Sequence, residues 1–449
     1  MKACRKGGDS AALAGGHGVN DLAWINTLPK AWKAKPLRAV AEYVVSNVDK
    51  VTADGEMPVR LCNYSDVYNN EFITLGLDFM QATATENEIA KFGLAAGDVI
   101  ITKDSESWDD IGVPALVRES ASDLVCGYHL ALLRPRKQEV NGDFLFRCLQ
   151  AKPVRVQLEL AANGVTRFGI PKNDIGAATL PVPPLPTQRA IADYLDRETA
   201  RIDALIAAKE RVLALLAEKR RALITRAVTR GLDPHAPLRN SGIPWLGEIP
   251  AHWGIKRGKW LFRERDERSE DGEETLLSLR MERGLVPHND VSEKQTRPEE
   301  LIGYKRTSPG ELVVNRMRAA VGLIAITREE GLVSPDYAVF IPSADANLEY
   351  YGYLFTTELL GSVFRSVSSG MGTGTQGFLR LYSESFLALW YPAPPLDEQR
   401  AIVDHITRET AKLDALRAAT ERTIALLKER RAALIAAAVT GQIDVGSAA

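Results

Sequence analysis

The sequence has few cysteines, no long apolar stretch and almost no net charge. Its four cysteines (Cys4, Cys62, Cys126 and Cys148) form no C-x-x-C pair, which argues against a disulfide framework or a zinc site and predicts free thiols. No run approaches the roughly 18 apolar residues of a membrane span. A net charge of −2 argues against a protein that holds DNA alone by counterion release, although local basic patches are compatible with it.

The motifs of several enzyme classes are missing as well. The sequence has no G-x4-G-K-[ST] loop for ATP, no Asn-Pro-Pro-aromatic tetrapeptide of the adenine methyltransferases, and no H-E-x-x-H or zinc-spaced histidine among its six histidines. Asp98 with the nearby Lys103 could be a fragment of a nuclease site, but a turn before a strand explains the pair better. These joint absences favour a protein without a catalytic site, a metal or a cofactor of its own.

The strongest positive signal is an internal duplication. Residues 184–233 and 395–444 align without gaps, and 30 of the 50 positions are identical. Both copies begin P-L-x-x-Q-R-A-I and both contain R-E-T-A-x-x-D-A-L. A second, weaker similarity precedes each copy: a W-x4-P-x2-W segment begins at Trp24 and again at Trp245. A period this long is not that of a short-repeat solenoid and indicates a duplicated half-molecule.

Each repeat predicts one long helix with a coiled-coil seam. Prolines stand before both copies, and Gly231 and Gly441 follow them, as expected at helix ends. About 43 residues at 1.5 Å each predict a rod roughly 65 Å long. Two equal seams can bury each other as an antiparallel pair, and the same residues are candidates for docking a partner. Spaced by steps of three and four, they are Ile191, Leu195, Ile202, Leu205, Leu216 and Leu223, then Ile402, Ile406, Leu413, Leu416, Leu427 and Leu434.

The regions that precede the repeats predict mixed α/β domains, because short β-branched runs are flanked by turn residues. The predicted strands are Val99–Thr102, Leu130–Leu133, Leu312–Val314, Leu323–Ile326 and Ala338–Ile341, and the predicted helices are Asn141–Gln150 and Leu348–Phe364. The expected fold class is therefore α/β or α+β. It has two copies of such a domain, separated by two long antiparallel coiled-coil helices, in a pseudo-twofold duplicated architecture.

The domain boundaries follow from the repeats. We expect a flexible N-terminal tail, because the glycine-rich start lacks the apolar core of a signal peptide. The predicted segments are this tail at 1–20, a first domain at 21–183, a central helix at 184–233, a second domain at 234–394, a C-terminal helix at 395–445 and a short tail at 446–449.

This layout resembles the specificity subunits of type I restriction–modification systems, from about Trp24 to Val445. The resemblance is carried by the paired P-L-x-x-Q-R-A-I and R-E-T-A-x-x-D-A-L segments, the ends ITRAVTRGLD and IAAAVTGQID, and the W-x4-P-x2-W segments. Members of that family carry two target recognition domains and two conserved helical regions in this order. The resemblance implies that each target recognition domain reads one half of a split, asymmetric site in double-stranded DNA, and that the helices fix the spacing between the halves.

The resemblance also implies partners that hold the cofactors. Two modification subunits would dock on the helices, bind S-adenosylmethionine and methylate adenine. Two restriction subunits, which are ATP-driven translocases with a nuclease and with Mg²⁺, would complete the assembly. This chain would then be a cytoplasmic, non-catalytic subunit with no cofactor, metal or membrane segment.

Polar residues beside the predicted strands are the candidates for DNA contact. Arginine can bind guanine edges or phosphates, and glutamine can address adenine. Each candidate can also be read as a solvated loop residue. They are Lys103, Asn163 and Arg167 in the first half, and Arg316, Arg318, Thr373, Thr375 and Gln376 in the second. Lys103 lies in the stretch that corresponds to the one with Arg316 and Arg318, and it is the counterpart candidate.

Two other functions stay open at this point. A coiled-coil scaffold with two protein-binding heads and no DNA contact would fit the near-neutral charge. A nuclease that acts alone would fit only if a catalytic site escaped motif analysis.

Overall fold

The chain divides into two compact units, each of which combines parts of both long helices with one mixed α/β domain. The computed structural model describes residues 23–281, 283–293, 296–370 and 379–445. The first unit comprises residues 1–209 and 422–449, and the second comprises residues 210–421. The predicted tails at 1–20 and 446–449 lie outside the described residues, as do Thr373, Thr375 and Gln376.

The domain of the first unit is built on a five-stranded sheet in the order β2-β10-β6-β8-β4. Smaller sheets join β5-β3-β9, β11-β12-β7 and β1-β13. The strands are β1 (Lys33–Pro36), β2 (Ala41–Val45), β3 (Met57–Cys62), β4 (Phe72–Ile73), β5 (Met80–Ala84), β6 (Val99–Thr102), β7 (Asp104–Ser105), β8 (Pro114–Val117), β9 (Leu124–Cys126), β10 (Leu130–Pro135), β11 (Asn163–Gly164), β12 (Phe168–Gly169) and β13 (Thr179–Val182). The helices are α1 (Leu37–Val40), α2 (Tyr64–Asn69), α3 (Glu86–Phe92), α4 (Gly142–Gln150), α5 (Lys152–Ala161) and α6 (Lys172–Ala177).

The central sheet of the first unit is buried on both faces, which explains why its strands are continuous apolar runs. Val99 and Ile101 of β6 face a core shared with α4, α5 and the long helices. Ile100, between them, faces a second core under the β5-β3-β9 sheet. Cys62, Cys126 and Cys148 are buried free thiols in these cores, and burial raises the pKa of each thiol.

The long helix α7 (Leu185–Arg230) leads into the second unit, whose domain has the sheet order β17-β24-β21-β22. Its strands are β14 (Leu238–Asn240), β15 (Glu248–Pro250), β16 (Gly254–Arg257), β17 (Phe262–Arg265), β18 (Leu277–Arg280), β19 (Gly284–Pro287), β20 (Lys305–Thr307), β21 (Leu312–Asn315), β22 (Ile324–Ile326), β23 (Gly331–Val333), β24 (Tyr337–Pro342) and β25 (Trp390–Ala393). Its helices are α8 (Gly258–Leu261), α9 (Pro298–Leu301), α10 (Leu348–Phe355), α11 (Glu358–Val367) and α12 (Ser383–Ala388), and α13 (Leu396–Val439) is the second long helix.

The sequence located the described elements well, with one correction. The five predicted strands correspond to β6, β10, β21, β22 and β24, and the predicted helix at 141–150 is α4 with Asn141 as its N-cap. The single helix predicted at Leu348–Phe364 is wrong, because the chain forms two helices there. Thr357 ends the run by capping α11, where its hydroxyl accepts a hydrogen bond from the Leu360 amide at 3.3 Å.

The two domains share one framework. Strand β1 pairs with β13 in the first unit as β16 pairs with β25 in the second, and the strands β2-β10-β6-β8 correspond in order to β17-β24-β21-β22. In each domain two consecutive helices follow the last strand of this set (α4 and α5, or α10 and α11), and an asparagine caps the first of them. The segments inserted at 46–98 and 266–311 differ. The predicted duplication is confirmed at the level of each domain.

Within each unit the long helices pack antiparallel. In the first unit Arg431 of α13 lies 2.9 Å from Asp203 of α7, while Ile191 and Leu195 share a core with Ile435 nearer the end of α13. In the second unit Arg220 lies 2.9 Å from Asp414. Residues that come later in α7 therefore meet residues that come earlier in α13, as the two matched seams predict.

The seam itself needs a correction at two leucines. Leu205 and Leu416 are 52% and 55% exposed, whereas Thr199, Ile206 and Thr410 are buried. The reason is that the buried residues Leu195, Thr199, Ile202 and Ile206 follow the pitch of an α-helix, 3.6 residues per turn, from which a strict 3.5-residue pattern drifts. Ile191, Leu195, Ile202, Ile402, Ile406 and Leu413 are buried as predicted, and Leu216, Leu223, Leu427 and Leu434 are half-buried.

The W-x4-P-x2-W segments cover the C-terminal ends of the long helices. Gly441 follows α13 with φ +74°, and a Cβ there would lie 2.6 Å from Cδ of Pro29 in the first unit. Gly231 follows α7 with φ +72°, and a Cβ there would lie 3.2 Å from the Trp253 ring in the second unit. Glycine ends each helix in the left-handed conformation and leaves room for the proline and tryptophan.

A buried glutamine ties the start of each long helix to its domain. The Gln188 side chain is fully buried; its Oε1 accepts from the Asn141 amide at 2.8 Å, and its Nε2 donates to the carbonyls of Glu139 and Pro183. Gln399 makes the same three bonds, accepting from the Asn347 amide and donating to the Asp345 and Pro394 carbonyls. This network explains the glutamine of the repeated P-L-x-x-Q-R motif.

Replacing either glutamine by leucine should destabilise its unit. Gln188→Leu leaves one buried amide and two buried carbonyls without partners, so we expect the free energy of unfolding to fall by about 2 kcal/mol or more. Chemical denaturation followed by tryptophan fluorescence measures the change. The exposed Gln138→Leu is the matched control, and an equal midpoint for both variants would contradict the role assigned to Gln188.

Candidate DNA interface

Three predicted contact residues of the first half come together at one edge of the first domain. Lys103 follows β6 and leads into β7, which pairs with β12, which in turn pairs with β11. Asn163 lies opposite Gly169 in this small sheet, and Arg167 is exposed beside the turn of the hairpin. We call residues 103–105, 129 and 163–169 the first edge. It brings a lysine, an arginine and an amide to one exposed surface, as a DNA-binding surface requires.

A carboxylate organises the first edge. Asp104 accepts a hydrogen bond from Lys103 Nζ at 2.9 Å and another from His129 Nδ1 at 2.6 Å. Burial by itself raises the pKa of Asp104, but the bonds from Lys103 and His129 outweigh it, and the pKa lies below its ordinary value. Asp104 is therefore ionised at neutral pH and holds both side chains in fixed positions.

His129 and Asp104 were not among the predicted contacts. His129 has φ +66° and is the one non-glycine residue with positive φ in the described ranges. Its ring lies 4.1 Å from the ring of Tyr128. A strained backbone held by its surroundings is common at functional sites. No sequence pattern indicates the pair, because 25 positions separate the two residues and the pairing of β6 with β10 brings them together.

The second domain has a corresponding edge around Arg316. Arg316 Nη2 donates to Glu264 Oε1 at 2.8 Å, and its side chain is 17% exposed. Glu264 also lies 3.4 Å from Lys305 Nζ, whose side chain is almost fully buried. Arg318 is exposed. The two predicted arginines therefore differ, since Arg316 is fixed by a carboxylate and Arg318 is free to reach outward.

Backbone pairing shows that Lys103 and Arg316 occupy the same position in the shared framework. The Ile170 amide donates to the Lys103 carbonyl at 2.9 Å, and the Leu381 amide donates to the Arg316 carbonyl at 2.9 Å. The prediction that Lys103 is the counterpart of Arg316 thus agrees with the fold. Thr373, Thr375 and Gln376 lie between the paired residues Ser369 and Arg380, outside the described residues.

The same correspondence extends to two further positions. Arg380 precedes Leu381 as Gly169 precedes Ile170, and Asp336 precedes β24 as His129 precedes β10. Arg380 forms an ion pair with Asp336. We call residues 316–318, 336, 369 and 380 the second edge.

Two more residues of the second domain lie near this edge and were not predicted. The Tyr337 hydroxyl bonds to the Asn315 side chain and lies in the field of Arg280 and Arg318; burial is the main cause that raises its pKa. Arg280 comes from the β18-β19 hairpin, in the inserted segment that the first domain lacks. Arg280 lies near the second edge because of that inserted segment, so the repeat could not predict it.

The described residues contain neither a membrane-spanning helix nor a metal-binding group of side chains. No described helix has the length and apolar character needed to cross a membrane. Nor does any group of three or more His, Cys, Asp or Glu side chains in these ranges form an arrangement suited to a metal ion.

Comparisons with known proteins agree with the fold. Residues 29–214 match the family model for the type I restriction modification DNA specificity domain. The chain is 22% identical over 441 residues to the specificity subunit of the type I restriction enzyme EcoKI of Escherichia coli K12, covering 93% of this chain and 90% of the relative.

Solved structures show the same fold. The HsdS subunit of Thermoanaerobacter tengcongensis aligns over 93% of this chain and 98% of its own, with 18% identity and a TM-score of 0.53. A chain from work on complex assembly and conformational transition of the type I R-M system aligns over 93% and 99%, with 18% identity and a TM-score of 0.62. The whole chain is therefore similar in sequence and fold to specificity subunits of type I restriction–modification systems, and residues 29–214 match the DNA specificity domain of that family.

Arg316→Ala should relax sequence preference at one base position. A positioned arginine that binds a base edge contributes about 1–3 kcal/mol of discrimination, so the preferred base should lose most of its advantage while other positions keep theirs. Competition binding of DNA variants by the complex with its methyltransferase measures this. The control is Arg328→Ala, which removes an arginine whose side chain is 83% exposed. A uniform loss over all sequences would assign Arg316 to phosphate instead.

Proposed function

We propose that this chain is the DNA sequence-specificity subunit of a type I restriction–modification complex. Each target recognition domain reads one half of a bipartite, asymmetric DNA site. The observation that carries the proposal is that one backbone framework carries different side chains in the two domains. At the first edge Lys103 and His129 bind Asp104. At the second edge Arg380 pairs with Asp336, and Arg316 pairs with the neighbouring Glu264.

Different side chains on an identical backbone suit domains that recognise different base sequences. Hydrogen-bond donors and acceptors at fixed positions distinguish base pairs in the major groove. Arg167 at the first edge, Arg318 at the second and Arg280 near it supply local positive charge in a chain whose net charge is −2, whereas the charge of Lys103 is balanced by Asp104. Local charge of this kind supports phosphate contact by each domain.

The two long helices set the distance between the half-sites. B-DNA repeats about every 34–36 Å, so two readers on one face of the duplex need a stiff spacer of defined length. Helix α7 has 46 residues and α13 has 44. Their antiparallel pairing within each unit, through Arg220 with Asp414 and Arg431 with Asp203, supports a spacer that keeps its length.

Matching apolar positions on the helices support docking of two copies of one partner. Leu205 and Leu416 occupy the same position of the two repeats and are both more than half exposed. Leu215 and Leu426 are likewise equivalent, at 62% and 64% exposed. Each unit carries one leucine of each pair, so a partner that binds one unit finds a similar surface on the other.

The partners are double-stranded DNA, two modification subunits and two restriction subunits, all in the cytoplasm. S-adenosylmethionine, ATP and Mg²⁺ belong to those subunits, and this chain acts without a catalytic site, metal or cofactor of its own. Its contribution to methylation and cleavage is the choice of the sequence.

Exchange of one domain tests the division of labour. Residues 24–183 are replaced by the corresponding region of a family member with another target, and the complex with its methyltransferase is expressed in a host. Methylome sequencing should show one half-site changed and the other retained, because each domain carries its own reading residues. The unaltered chain is the control. A change in both half-sites or in neither would contradict the proposal.

Lengthening both helices tests the spacer. Seven residues inserted after Lys209 and seven after Thr420, which are equivalent positions of the repeats, lengthen each helix by about 10 Å. The gap between methylated half-sites should grow by about three base pairs at 3.4 Å each. An insertion in α7 alone, which puts the helices out of register, is the control and should abolish assembly. A gap of unchanged length after both insertions would show that the helices do not set it.

A further inference from the structure

The imidazole of His129 is held in one orientation and one tautomer. Asp104 is ionised, and a carboxylate only accepts hydrogen bonds, so the nitrogen 2.6 Å from it, Nδ1, is the donor. In the neutral imidazole Nε2 then carries a lone pair and is an acceptor. The side chain is 27% exposed. The first edge therefore presents a ring nitrogen in a fixed direction beside Lys103, whose backbone amide donates to the His129 carbonyl at 2.9 Å.

Space for this arrangement comes from Gly169. A Cβ at that position would lie 2.8 Å from Oδ1 of Asp104 and 3.7 Å from Nζ of Lys103. A side chain at this position would push against Oδ1 of Asp104, the oxygen that accepts from Lys103. At the corresponding position the second domain has Arg380, which pairs with Asp336, the counterpart of His129.

The residue directly before β10 in the first domain, and directly before β24 in the second, is thus held by a charged side chain. The two pairs consist of different residue types. In the first domain a histidine is fixed by Asp104, and in the second an aspartate is fixed by Arg380. Packing alone needs no such pair, because the strands β10 and β24 are already held by the central sheets. A side chain that is fixed in place, partly exposed and different between the two domains has the properties of a base-reading residue.

We infer that His129 is a specificity-determining residue of the first target recognition domain, with its Nε2 facing a base edge, and that Asp104 is its positioning residue. The inference rests on the proposed function and adds a specific contact to it. Nε2 is the ring nitrogen left to face a base: in the neutral imidazole it accepts from the amino group of cytosine or adenine, and in the imidazolium it donates to the acceptors of guanine or thymine. One position of the first half-site therefore places a polar group of the base edge towards His129.

Two variants test the inference in the complete complex with its modification subunits. His129→Asn tolerates the positive φ, because asparagine is one of the residues that adopt it readily, but it loses the ring. Asp104→Asn keeps the shape of the side chain and loses the charge that fixes the tautomer. His235→Asn, at an exposed histidine outside both edges, is the matched control. The readout is methylation of a library in which every base of both half-sites is varied.

We expect His129→Asn to reduce discrimination at one base position of the first half-site by about tenfold, the value of one hydrogen bond with a polar partner left unpaired. Asp104→Asn should weaken discrimination at the same position by a smaller factor. The second half-site should keep its sequence in both variants, which shows that each complex is folded and assembled. The control should match the unaltered chain at every position.

Two outcomes would overturn the inference. The first is an unchanged preference at every position of the first half-site in His129→Asn, and the second is an equal loss of methylation over all sequences, which a structural or phosphate-binding residue would give. In both cases the unaltered complex still methylates a two-part site, so the proposed function survives. If the unaltered complex recognised no two-part site, the proposed function itself would be refuted.

Discussion

The buried amides of Gln188 and Gln399 are the contacts on which the rest of the architecture depends. Each joins the first turn of a long helix to the backbone before the first helix that follows the central sheet, by three hydrogen bonds without contact to water. A helix of more than 40 residues transmits an angular error at its start over its whole length. Fixing that start by backbone groups, which do not depend on the local side chains, lets the domains diverge while the direction of the helices stays the same.

Beyond this shared tie the two domains hold their helices by different chemistry. In the first unit the buried Arg147 binds Asp196 at 2.7 Å and is also bonded to Thr199 of α7. In the second unit the buried Tyr350 donates its hydroxyl to the Val228 carbonyl at 2.8 Å. The first contact is an ion pair of a buried arginine and the second is a neutral hydrogen bond, so the first is the more sensitive to a lost partner. The two domains therefore share their geometry, but different contacts hold the long helices in each.

The regular parts of the fold could be predicted from the sequence because periodicity and end signals determine them. Strand β6 was located to the residue, helix α4 begins one residue after its predicted start at Asn141, and the long helices end at Arg230 and Val439, close to the predicted glycines. The break at Thr356 was missed because apolar residues at helical spacing resume directly after the polar residues 356–358. Leu205 was placed in the seam because a 3.5-residue pattern was assumed where the helix follows its own pitch.

The candidate site could be predicted only in part, since it depends on pairing between distant segments. Lys103 and Arg316 follow strands that the sequence reveals, so their correspondence was found. Asp104 with His129 and Asp336 with Arg380 are joined by strand order, which no local pattern encodes. The sequence therefore predicted basic residues near the edges, but it did not predict the ion-pair partners that fix the side chains of each edge.

The order of synthesis has a consequence for the first unit. Its core includes Ile435, Ala438 and Val439, at the end of the chain, whereas the second unit is formed by the uninterrupted residues 210–421. At about 5–20 residues per second, the first domain leaves the ribosome roughly 10–50 s before its last helix exists. The domain made second can complete its core first, and the domain made first must wait with an apolar surface uncovered, open to chaperones during translation.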